Sequence, residues 1–476
     1  MAIIPNHLSV LDYIQEFKKL IFSSSFNIKN NSSPSPIFSI SCEVEPIDPL
    51  IFISVLQTDK QPVFYWQNQR KKEAIAAIGA IKSLNIDKNI CQQDKDIDRF
   101  QKCQEFINNN QKLIHILNKD QDNYQPHFFT YFRFFEQSHN FDNKSFPLAT
   151  IFLPFIQLIK KDNKYSVTIN TYNQNKKEIL DYLKDNFSEK IELNYKVNYS
   201  QENKINSHLE NAKYQGFIDK VNKGLEAIKS EKLTKIVVAH ALEIKTENKF
   251  NIVKSLENLR NNHPDCYIFS IGNEDQEYFI GASPERLLSI KDNQLVSDAL
   301  AGSAPRGKNE DEDFLIGNNL LDSEKEKREH QAVSNFIFNQ LSAMGLQPKK
   351  ASLQLLKLSN IQHLWTPIYA EIKEEINPLE IVRQLHPTPA VAGVPIEVAC
   401  QEIETSEKFD RSLYAAPIGW LDLQGNCEFI VGIRSALIKE NYARLYAGAG
   451  IVTGSKPEQE LTEIKLKFQA LLQALI

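Results

Sequence analysis

The stretch CEFIVGIRSALIKENYARLYAGAGIV, residues 427–452, indicates the fold class most directly. Two apolar runs, 427–438 and 443–452, flank the short polar segment KENY, which is the pattern of a β-hairpin. Other strand-like runs lie at 235–244, 266–272 and 277–290, and helical segments are interspersed without regular βαβ alternation. We therefore predict an α+β protein with large, mainly antiparallel sheets.

Several segments outside this hairpin have a periodicity that predicts their local structure. The apolar runs 49–56 and 146–159 are typical of strands, whereas residues 69–84 have the apolar spacing of a helix. A second helix is predicted near residue 220, where apolar residues recur every three to four positions at Phe217, Val221, Leu225 and Ile228.

Composition excludes several classes of protein. The chain has 476 residues, of which 42% are hydrophobic and 24% charged, which is typical of a globular protein of one large domain or two to three smaller ones. The net charge is −5 and no basic block is interleaved with aromatic residues, so a nucleic-acid partner is not expected. No run of about 18 apolar residues is present, so no membrane span is expected.

The cysteine pattern and the N-terminus bear on location. Six cysteines are scattered without a CxxC pair, which predicts reduced thiols rather than a disulfide framework or a zinc site. The N-terminus lacks both a basic start and a continuous apolar stretch, so we expect no secretory signal. A cytoplasmic protein is the simplest interpretation.

Two acidic segments could form a metal site. In SEKEKREH (323–330), Glu326 and Glu329 are spaced so that they share one face of a helix, and Glu460 and Glu463 repeat the spacing in PEQELTEIKLKF. If the two helices face each other, four carboxylates come together, and like charges that close require a cation. Oxygen ligands of this kind suit Mg²⁺. The alternative is that both segments are solvated helix faces, on which such spacing is common.

Lys235 opens the apolar strand KIVVAHALEI. A lysine at the start of a strand is usually a solvated end. If it points into a cleft instead, desolvation makes it a plausible general base.

Glu285 lies in GASPERLLSI, where SPE predicts a turn between two strands. One interpretation is a surface carboxylate that pairs with Arg286. The other is a partly buried acid that can donate a proton.

Arg434 lies within the apolar run IVGIRSALI, where an arginine is seldom buried without an anionic partner. Nearby, AGAG at 447–450 allows a ligand to approach the backbone closely. Together these two features predict a clamp for a carboxylate. The sequence lacks GxSxG, HExxH, Walker and GxGxxG motifs, so other common sites are not indicated.

The order of motifs resembles that of the chorismate-utilising enzymes, which include isochorismate, salicylate, anthranilate and aminodeoxychorismate synthases. The resemblance covers about residues 205–476, and residues 1–204 match only loosely. It implies one large α+β unit of two sheets flanked by helices, to which the N-terminal half contributes strands and helices. The motifs that carry it are Lys235, Glu285, LAGS (300–303), EKREH, QHLWTP (362–367), HPTPAVAG, the clamp and SKPEQELTE.

The resemblance also implies a role for each matched residue. Lys235 corresponds to the base that activates water and Glu285 to the general acid. Residues Glu326, Glu329, Glu460 and Glu463 correspond to the Mg²⁺ site. The groups that correspond to the holders of the substrate carboxylates are Arg434, Tyr414, Lys467 and the backbone at Gly450. The ring would be lined by Gly302, Ser303 and His363, with Ala390 of HPTPA in the loop beside it.

Within this family, Lys235 favours water rather than ammonia as the nucleophile, and HPTPA is the form seen in isochorismate synthases. The resemblance therefore implies an isomerase that converts chorismate reversibly into isochorismate for menaquinone or phylloquinone synthesis. It implies a monomer without a glutaminase subunit. Tyr414 is also typical of salicylate synthases, which eliminate pyruvate, so that activity stays an alternative, as does a catalytically silent homologue that acts as a binding subunit.

Overall fold

A computed structural model describes residues 35–57, 60–87, 98–117, 125–136, 145–172, 214–359, 361–372 and 376–475. The predicted boundary between residues 204 and 205 lies outside these ranges and stays a prediction. Within them, no helix is both long enough and apolar enough to cross a membrane.

The helices of the described ranges are short to medium in length and are numbered here in chain order. They are α1 Pro49–Leu56, α2 Arg99–Gln111, α3 Gln215–Lys229, α4 Ile252–Asn262, α5 Glu310–Asp322, α6 Glu324–Ala343, α7 Pro378–Leu385, α8 Ile396–Ser406 and α9 Pro457–Leu475.

The strands form two large sheets. They are β1 Ile37–Val44, β2 Val63–Asn68, β3 Glu73–Ile78, β4 Lys82–Ile86, β5 Ile114–Ile116, β6 His127–Phe132, β7 Ala149–Leu153, β8 Ile156–Lys161, β9 Lys164–Thr171, β10 Lys235–Lys245, β11 Tyr267–Gly272, β12 Glu277–Ser283, β13 Arg286–Lys291, β14 Gln294–Pro305, β15 Lys349–Lys350, β16 Gln354–Lys357, β17 Ile361–Glu371, β18 Gly393–Val394, β19 Pro417–Asp422, β20 Cys427–Val431, β21 Ser435–Lys439 and β22 Tyr442–Val452.

Both sheets draw strands from both halves of the chain. The twelve-stranded sheet has the order β18-β10-β22-β21-β12-β11-β2-β3-β8-β9-β1-β5, and its pairs are antiparallel except β1 with β5. The ten-stranded sheet has the order β15-β17-β14-β13-β20-β19-β6-β7-β4, with β16 paired to β17. The α+β prediction with mainly antiparallel sheets is confirmed.

The sheets pack against each other through aromatic side chains. Phe64 of the twelve-stranded sheet and Phe129 of the ten-stranded sheet have ring centroids 4.5 Å apart. Both side chains are fully buried, and they belong to one continuous hydrophobic cluster that includes residues from both halves of the chain. Burial of this shared core makes the described ranges a single packed unit.

Two predictions of local structure were wrong. Residues 49–56, predicted as a strand, form α1, because Asp48 caps the helix by accepting from the Leu50 amide and Pro49 occupies its first turn. Residues 69–84, predicted as a helix, form β3 and β4, between which Gly79 turns the chain at a φ of +69°. A short buried apolar run is compatible with a helix or a strand, and its contacts with the rest of the protein decide which of the two forms.

The predicted C-terminal hairpin is present, but its first arm is divided between the sheets. β21 and β22 pair through a turn at Glu440 and Asn441. The preceding strand, β20, pairs with β13 and β19 in the other sheet. The chain crosses from one sheet to the other at Gly432–Arg434, so Arg434 does not lie within a continuous strand as the sequence suggested.

Candidate functional site

A cleft of about 100 Å³ opens where the chain crosses between the two sheets. Its walls come from β10, β14, β17, β22, α6, α9 and the two crossing segments. The lining residues are Val237, Pro284, Glu285, Leu300, Ala301, Gly302, Ser303, Glu329, His363, Ala390, Val391, Tyr414, Ala415, Ile433, Arg434, Tyr446, Ala447, Gly448, Gly450, Glu463 and Lys467.

Glu285 and Arg434 occupy two adjacent crossings. Glu285 lies between β12 and β13, which belong to different sheets, and its carbonyl accepts from the amide of Val431 at 3.1 Å. The Arg434 carbonyl accepts from the amide of Ala282 at 3.1 Å. Arg434 has a φ of +49°, a left-handed conformation that is uncommon for a residue other than glycine. These backbone hydrogen bonds thus fix the positions of Glu285 and Arg434 at the cleft between the two sheets.

Glu285 is a buried acid and not a surface carboxylate. It is 5% exposed, and Arg286 pairs with Asp298 at 2.8 Å instead. Burial raises the pKa of Glu285 to about 8; the charge of Lys235 opposes this shift and that of Asp298 adds to it. A carboxyl group with this pKa carries its proton at neutral pH and can donate it.

Lys235 is also buried, so the interpretation of a solvated strand end was wrong. Its side chain is 2% exposed, and Nζ lies 2.8 Å from Glu329 Oε1. The pair lacks the directionality of a hydrogen bond, and Nζ has no other hydrogen-bond partner among the described residues. Lys235 does not line the cleft itself. Its side chain lies behind Glu329 and Gly450, which do line it.

Of the four glutamates of the predicted metal site, Glu326 and Glu460 lie in the first turns of α6 and α9, where the helix dipole favours negative charge, and Glu329 and Glu463 lie about one turn further along the same helices. Each contacts a lysine. Besides the pair of Glu329 with Lys235, Lys467 Nζ lies 2.6 Å from Glu463 Oε1. Lys325 Nζ lies 3.5 Å from Glu326 Oε1 and 3.6 Å from Glu460 Oε1, and so bridges the two helices.

The donor set suits a hard divalent cation, although its oxygens are not gathered round one point. Burial, followed by the charge of Glu329, raises the pKa of Glu326; burial, followed by the charge of Glu463, raises that of Glu460. A divalent cation would relieve this repulsion, and carboxylate oxygens are ligands of Mg²⁺. Among the described residues, no three metal-ligating side chains converge, and each of the four carboxylates is paired with a lysine.

A chain of hydrogen bonds fixes the orientation of His363. Arg434 Nη2 donates to His363 Nε2 at 2.9 Å, and since a guanidinium group can only donate, Nε2 is the acceptor. The imidazole proton is therefore on Nδ1, which lies 2.9 Å from Ser303 Oγ. Burial, and then the charge of Arg434, hold the pKa of His363 well below its usual value. Ser303 Oγ accepts a hydrogen bond from Nδ1–H, so its own hydroxyl proton can be donated to another partner.

Gly302 forms a β-bulge that directs Ser303 toward His363. Ala301 pairs with Leu364 and Ser303 with His363, so Gly302 is the extra residue. Its φ of +78° favours glycine, and a Cβ atom there would lie 3.1 Å from Glu326 Oε2. The LAGS motif thus lies on the cleft wall, next to the acidic cluster.

The glycines of AGAG make room for side chains of the site itself. A Cβ atom at Gly450 would lie 2.6 Å from Glu329 Oε1, and one at Gly448 would lie 2.7 Å from the hydroxyl of Tyr414. The Gly448 carbonyl also accepts from Lys467 Nζ at 2.7 Å. The sequence predicted that a ligand approaches the AGAG backbone closely. In the structure, side chains of the predicted site residues approach it closely.

The proline-containing loop 386–395 lies beside Lys235. Val394 pairs with Lys235, and the Ala392 carbonyl accepts from the amide of Val237 at 2.7 Å. Arg411, which is fully buried, donates to the carbonyls of Val391 and Val237 at 2.9 Å each. The loop is thereby fastened to β10, and Ala390 and Val391 face the cleft.

Most of the predicted site residues come together. The structure places Glu285, Gly302, Ser303, Glu329, His363, Ala390, Tyr414, Arg434, Gly450, Glu463 and Lys467 on the cleft lining, and Lys235, Glu326 and Glu460 behind it. Sequence reasoning missed Lys325 and Arg411. Lys325 lies inside the acidic motif that was singled out, but its side-chain direction is not visible in the sequence; for Arg411 we find no local signal.

Comparisons with known proteins agree with this geometry. The family model described as "Chorismate binding enzyme" matches residues 22–476. Isochorismate synthase MenF of Bacillus subtilis is 30% identical over 451 residues, which cover 92% of this chain and 93% of that protein. A salicylate biosynthesis isochorismate synthase of Pseudomonas aeruginosa is 37% identical over 262 residues, 54% of each chain.

Among solved structures, MenF, the menaquinone-specific isochorismate synthase of Escherichia coli, superposes with a TM-score of 0.79. The sequence identity is 25%, and the match covers 98% of this chain and 100% of that one. The similarity thus extends over the N-terminal half as well as over the cleft. The chain belongs to the family of chorismate-binding enzymes.

Proposed function

We propose that this protein is an isochorismate synthase that converts chorismate reversibly into isochorismate. The observation that carries the proposal is a buried Glu285, with a pKa raised to about 8, on the wall of a cleft that also has Arg434 and Lys467, with a buried Lys235 behind that wall. An acid, a base and an anion clamp are what this reaction needs. The full-length similarity to two isochorismate synthases supports the same activity.

Substrate binding follows from the charges around the cleft. Chorismate carries two carboxylates on a cyclohexadiene ring, and Arg434 has no carboxylate partner among the described residues to compete for its free N–H groups. In the proposed complex the carboxylates contact Arg434, Lys467, the Tyr414 hydroxyl and the backbone at Gly450. The ring lies against Gly302, Ser303, His363 and Ala390.

The proposed reaction exchanges one hydroxyl group for another. For this step Lys235 has to be in its neutral amine form, in which it takes a proton from water as the water oxygen bonds to C2. The two ring double bonds shift toward C4, and the C4–O bond breaks. Glu285 gives its proton to the departing hydroxyl, which leaves as water. Because one C–O bond forms while another breaks, we expect an equilibrium constant near unity, so the reaction should run in both directions.

The proposal includes Mg²⁺, held by Glu326, Glu329, Glu460 and Glu463. When bound, the ion would act as a Lewis acid toward the ring carboxylate. Lys325 has to leave the space between Glu326 and Glu460 for these carboxylates to converge. The N-termini of α6 and α9 then favour the negative charge of the substrate.

The lysine also bears on the nucleophile and on partners. A buried Lys235 next to the cleft favours water, so we propose that the enzyme needs no glutaminase subunit. We further propose a cytoplasmic monomer in which residues 1–204 are part of the same unit. The described cysteines, all of them free thiols, agree with a reducing compartment.

The place in metabolism is part of the proposal. Two relatives that match over nearly the whole chain are MenF proteins, and one is described as menaquinone-specific. The relative named for salicylate biosynthesis matches over 54% of the chain. We therefore propose that the product serves menaquinone or phylloquinone synthesis.

The test is a product assay. Purified protein is incubated with chorismate and Mg²⁺, and the products are separated by chromatography while pyruvate is measured. Isochorismate without pyruvate is expected. Salicylate with pyruvate as the main products would establish the alternative lyase, and anthranilate would indicate ammonia as nucleophile. Tight chorismate binding without turnover would indicate a silent homologue.

A further inference from the structure

A second, larger cavity adjoins the cleft. This outer chamber has a volume of about 270 Å³. Its lining residues are His263, Ser303, Ala304, Pro305, Ile361, Arg434, Gln459, Thr462, Glu463, Leu466, Lys467 and Ala470. Ser303, Arg434, Glu463 and Lys467 line both spaces, so these four side chains form the partition between the chamber and the cleft.

One face of α9 forms the outer wall of this chamber. Its lining residues recur every three to four positions from Gln459 to Ala470, which places them on a single stripe. A different stripe of the helix, with Ile464, Phe468 and Leu471, enters the hydrophobic core. Leu466 is therefore not needed for folding contacts with the core, and it stays 50% exposed beside the chamber.

The chamber combines an apolar body with a cationic inner end. Leu466, Ala470 and Ile361 provide apolar surface, and Arg434 and Lys467 lie at the partition. Lys467 is already paired with Glu463, so their charges offset each other. His263 adds no charge, because burial and the neighbouring Arg434 lower its pKa to about 4. The remaining positive charge is that of Arg434.

Arg434 has spare donors that are open to an anion in the chamber. Of its five N–H donors, one is directed to His363 Nε2 at 2.9 Å and another makes a long contact of 3.9 Å with Cys266 Sγ. No carboxylate pairs with it among the described residues. A half-buried guanidinium group in this position binds one anion, either from the chamber side or from the cleft side.

We propose that the outer chamber binds aromatic monocarboxylates, with the carboxylate on Arg434 and the ring against Leu466, Ala470 and Ile361. An apolar cavity of about 150 Å³ accepts benzene, so the chamber has room for one substituted ring. Because Arg434 is shared with the cleft, a ligand of this class competes with chorismate. The binding itself does not depend on the proposed function, whereas the competition does.

Direct binding is measured first, with benzoate as the probe, by calorimetry or ligand-observed NMR on the full chain. Benzamide retains the ring without the charge, and acetate retains the charge without the ring. Saturable benzoate binding with a Kd of roughly millimolar order is expected, as is usual for a ligand of this size. Each control compound should bind at least about tenfold more weakly, which corresponds to the loss of one of the two interactions.

Two variants locate the site. Ala470→Phe fills the chamber, and Thr462→Phe narrows its rim from an exposed position. Both should weaken benzoate binding at least about tenfold, the change expected when one interaction surface is lost. Gln469→Phe adds the same ring to the exposed side of α9 and should leave binding unchanged. Thermal melting checks that each variant is folded.

Several results would overturn the proposal: no saturable benzoate binding, equal binding of benzamide, or unchanged binding in both chamber variants. If chorismate is converted, benzoate should raise its apparent KM without changing kcat, and inhibition that leaves KM unchanged would contradict the shared use of Arg434. If chorismate is not converted, the proposed function fails, and the binding data still decide whether the chamber is a site.

Discussion

Lys235 Nζ lies 2.8 Å from Glu329 Oε1, which joins the start of β10 to the first turns of α6 in the interior of the protein. A buried ion pair is costly to form and costly to break on one side only. Its presence beside a cleft, next to a glycine that leaves it room, is better explained by chemistry than by stability.

The first prediction concerns this pair. Lys235→Ala should lower turnover by about 100-fold or more, the usual contribution of a general base. It also leaves the Glu329 carboxylate without its cationic partner, so the melting temperature should fall. In Lys235→Ala/Glu329→Gln the unpaired charge is gone, and stability should recover while activity does not. Recovery of both would show that Lys235 has only a structural role.

The second prediction is the pH dependence conferred by Glu285. The acid must be protonated to act, and its pKa is raised to about 8, so kcat/KM should fall as the pH rises above about 8. Glu285→Gln should fold and be inactive. A rate that stays constant well above this pH would remove Glu285 as the acid.

Stability provides an independent control for Glu285. Its pKa in the folded protein is raised above the ordinary value of 4.5, so the folded state binds the proton more tightly than the unfolded state does. This contribution to the free energy of unfolding is present below pH 4.5 and is lost as the pH rises toward about 8. Glu285→Gln should abolish that part of the pH dependence.

The third prediction concerns Lys325. Its ammonium group stands between Glu326 and Glu460, where it competes with a divalent cation. Lys325→Ala should therefore bind Mg²⁺ more tightly in a calorimetric titration, and the metal-free protein should melt at a lower temperature. Lys327→Ala is the matched control, because among the described residues the ammonium group of Lys327 pairs with the exposed Glu324 of the same helix. Equal affinities in the two variants would contradict the competition.

The fourth prediction tests the close packing at Gly450. Gly450→Ala would place a methyl group 2.6 Å from Glu329 Oε1 and 3.2 Å from Lys235 Cε. Overpacking of this kind costs about 1–3 kcal/mol and would separate the pair, so we expect lower stability and a larger loss of kcat. Gly216→Ala in α3, where a Cβ atom meets no atom within 4 Å beyond its own helix backbone and chain neighbours, should leave kcat unchanged without lowering the stability. An active Gly450→Ala enzyme would argue against the predicted role of Lys235.

The fifth prediction concerns Ala390, which lies on the cleft wall in the loop fastened by Arg411. Ala390→Thr adds a hydroxyl group near the proposed ring position. It should shift the products toward salicylate, with release of pyruvate, or slow the formation of isochorismate. Ala390→Ser is a smaller change and should act in the same direction more weakly. Unchanged products and rates in both variants would mean that the loop does not influence the reaction.

Local sequence patterns were sufficient to predict the secondary structure where a regular apolar periodicity or a polar turn marked the element. The amphipathic helix α3 buries Phe217, Val221 and Ile228 as its periodicity predicted. The hairpin of β21 and β22 forms around its polar turn. Local patterns failed at 49–56 and 69–84, because a short apolar run is compatible with a helix or a strand, and contacts with distant residues decide between them.

The sequence by itself identified the candidate residues of the site by their motifs: Glu285 as the proposed acid, Lys235 as the proposed base, the paired glutamates and Arg434 as the proposed clamp. Only the tertiary structure decided their states. Glu285 holds its proton because two sheets bury it, and Arg434 faces two cavities because the chain crosses between the sheets there. Lys325 bridges two helices that are more than a hundred residues apart in sequence. At these positions burial and side-chain direction arise from long-range packing, which the local motifs do not encode.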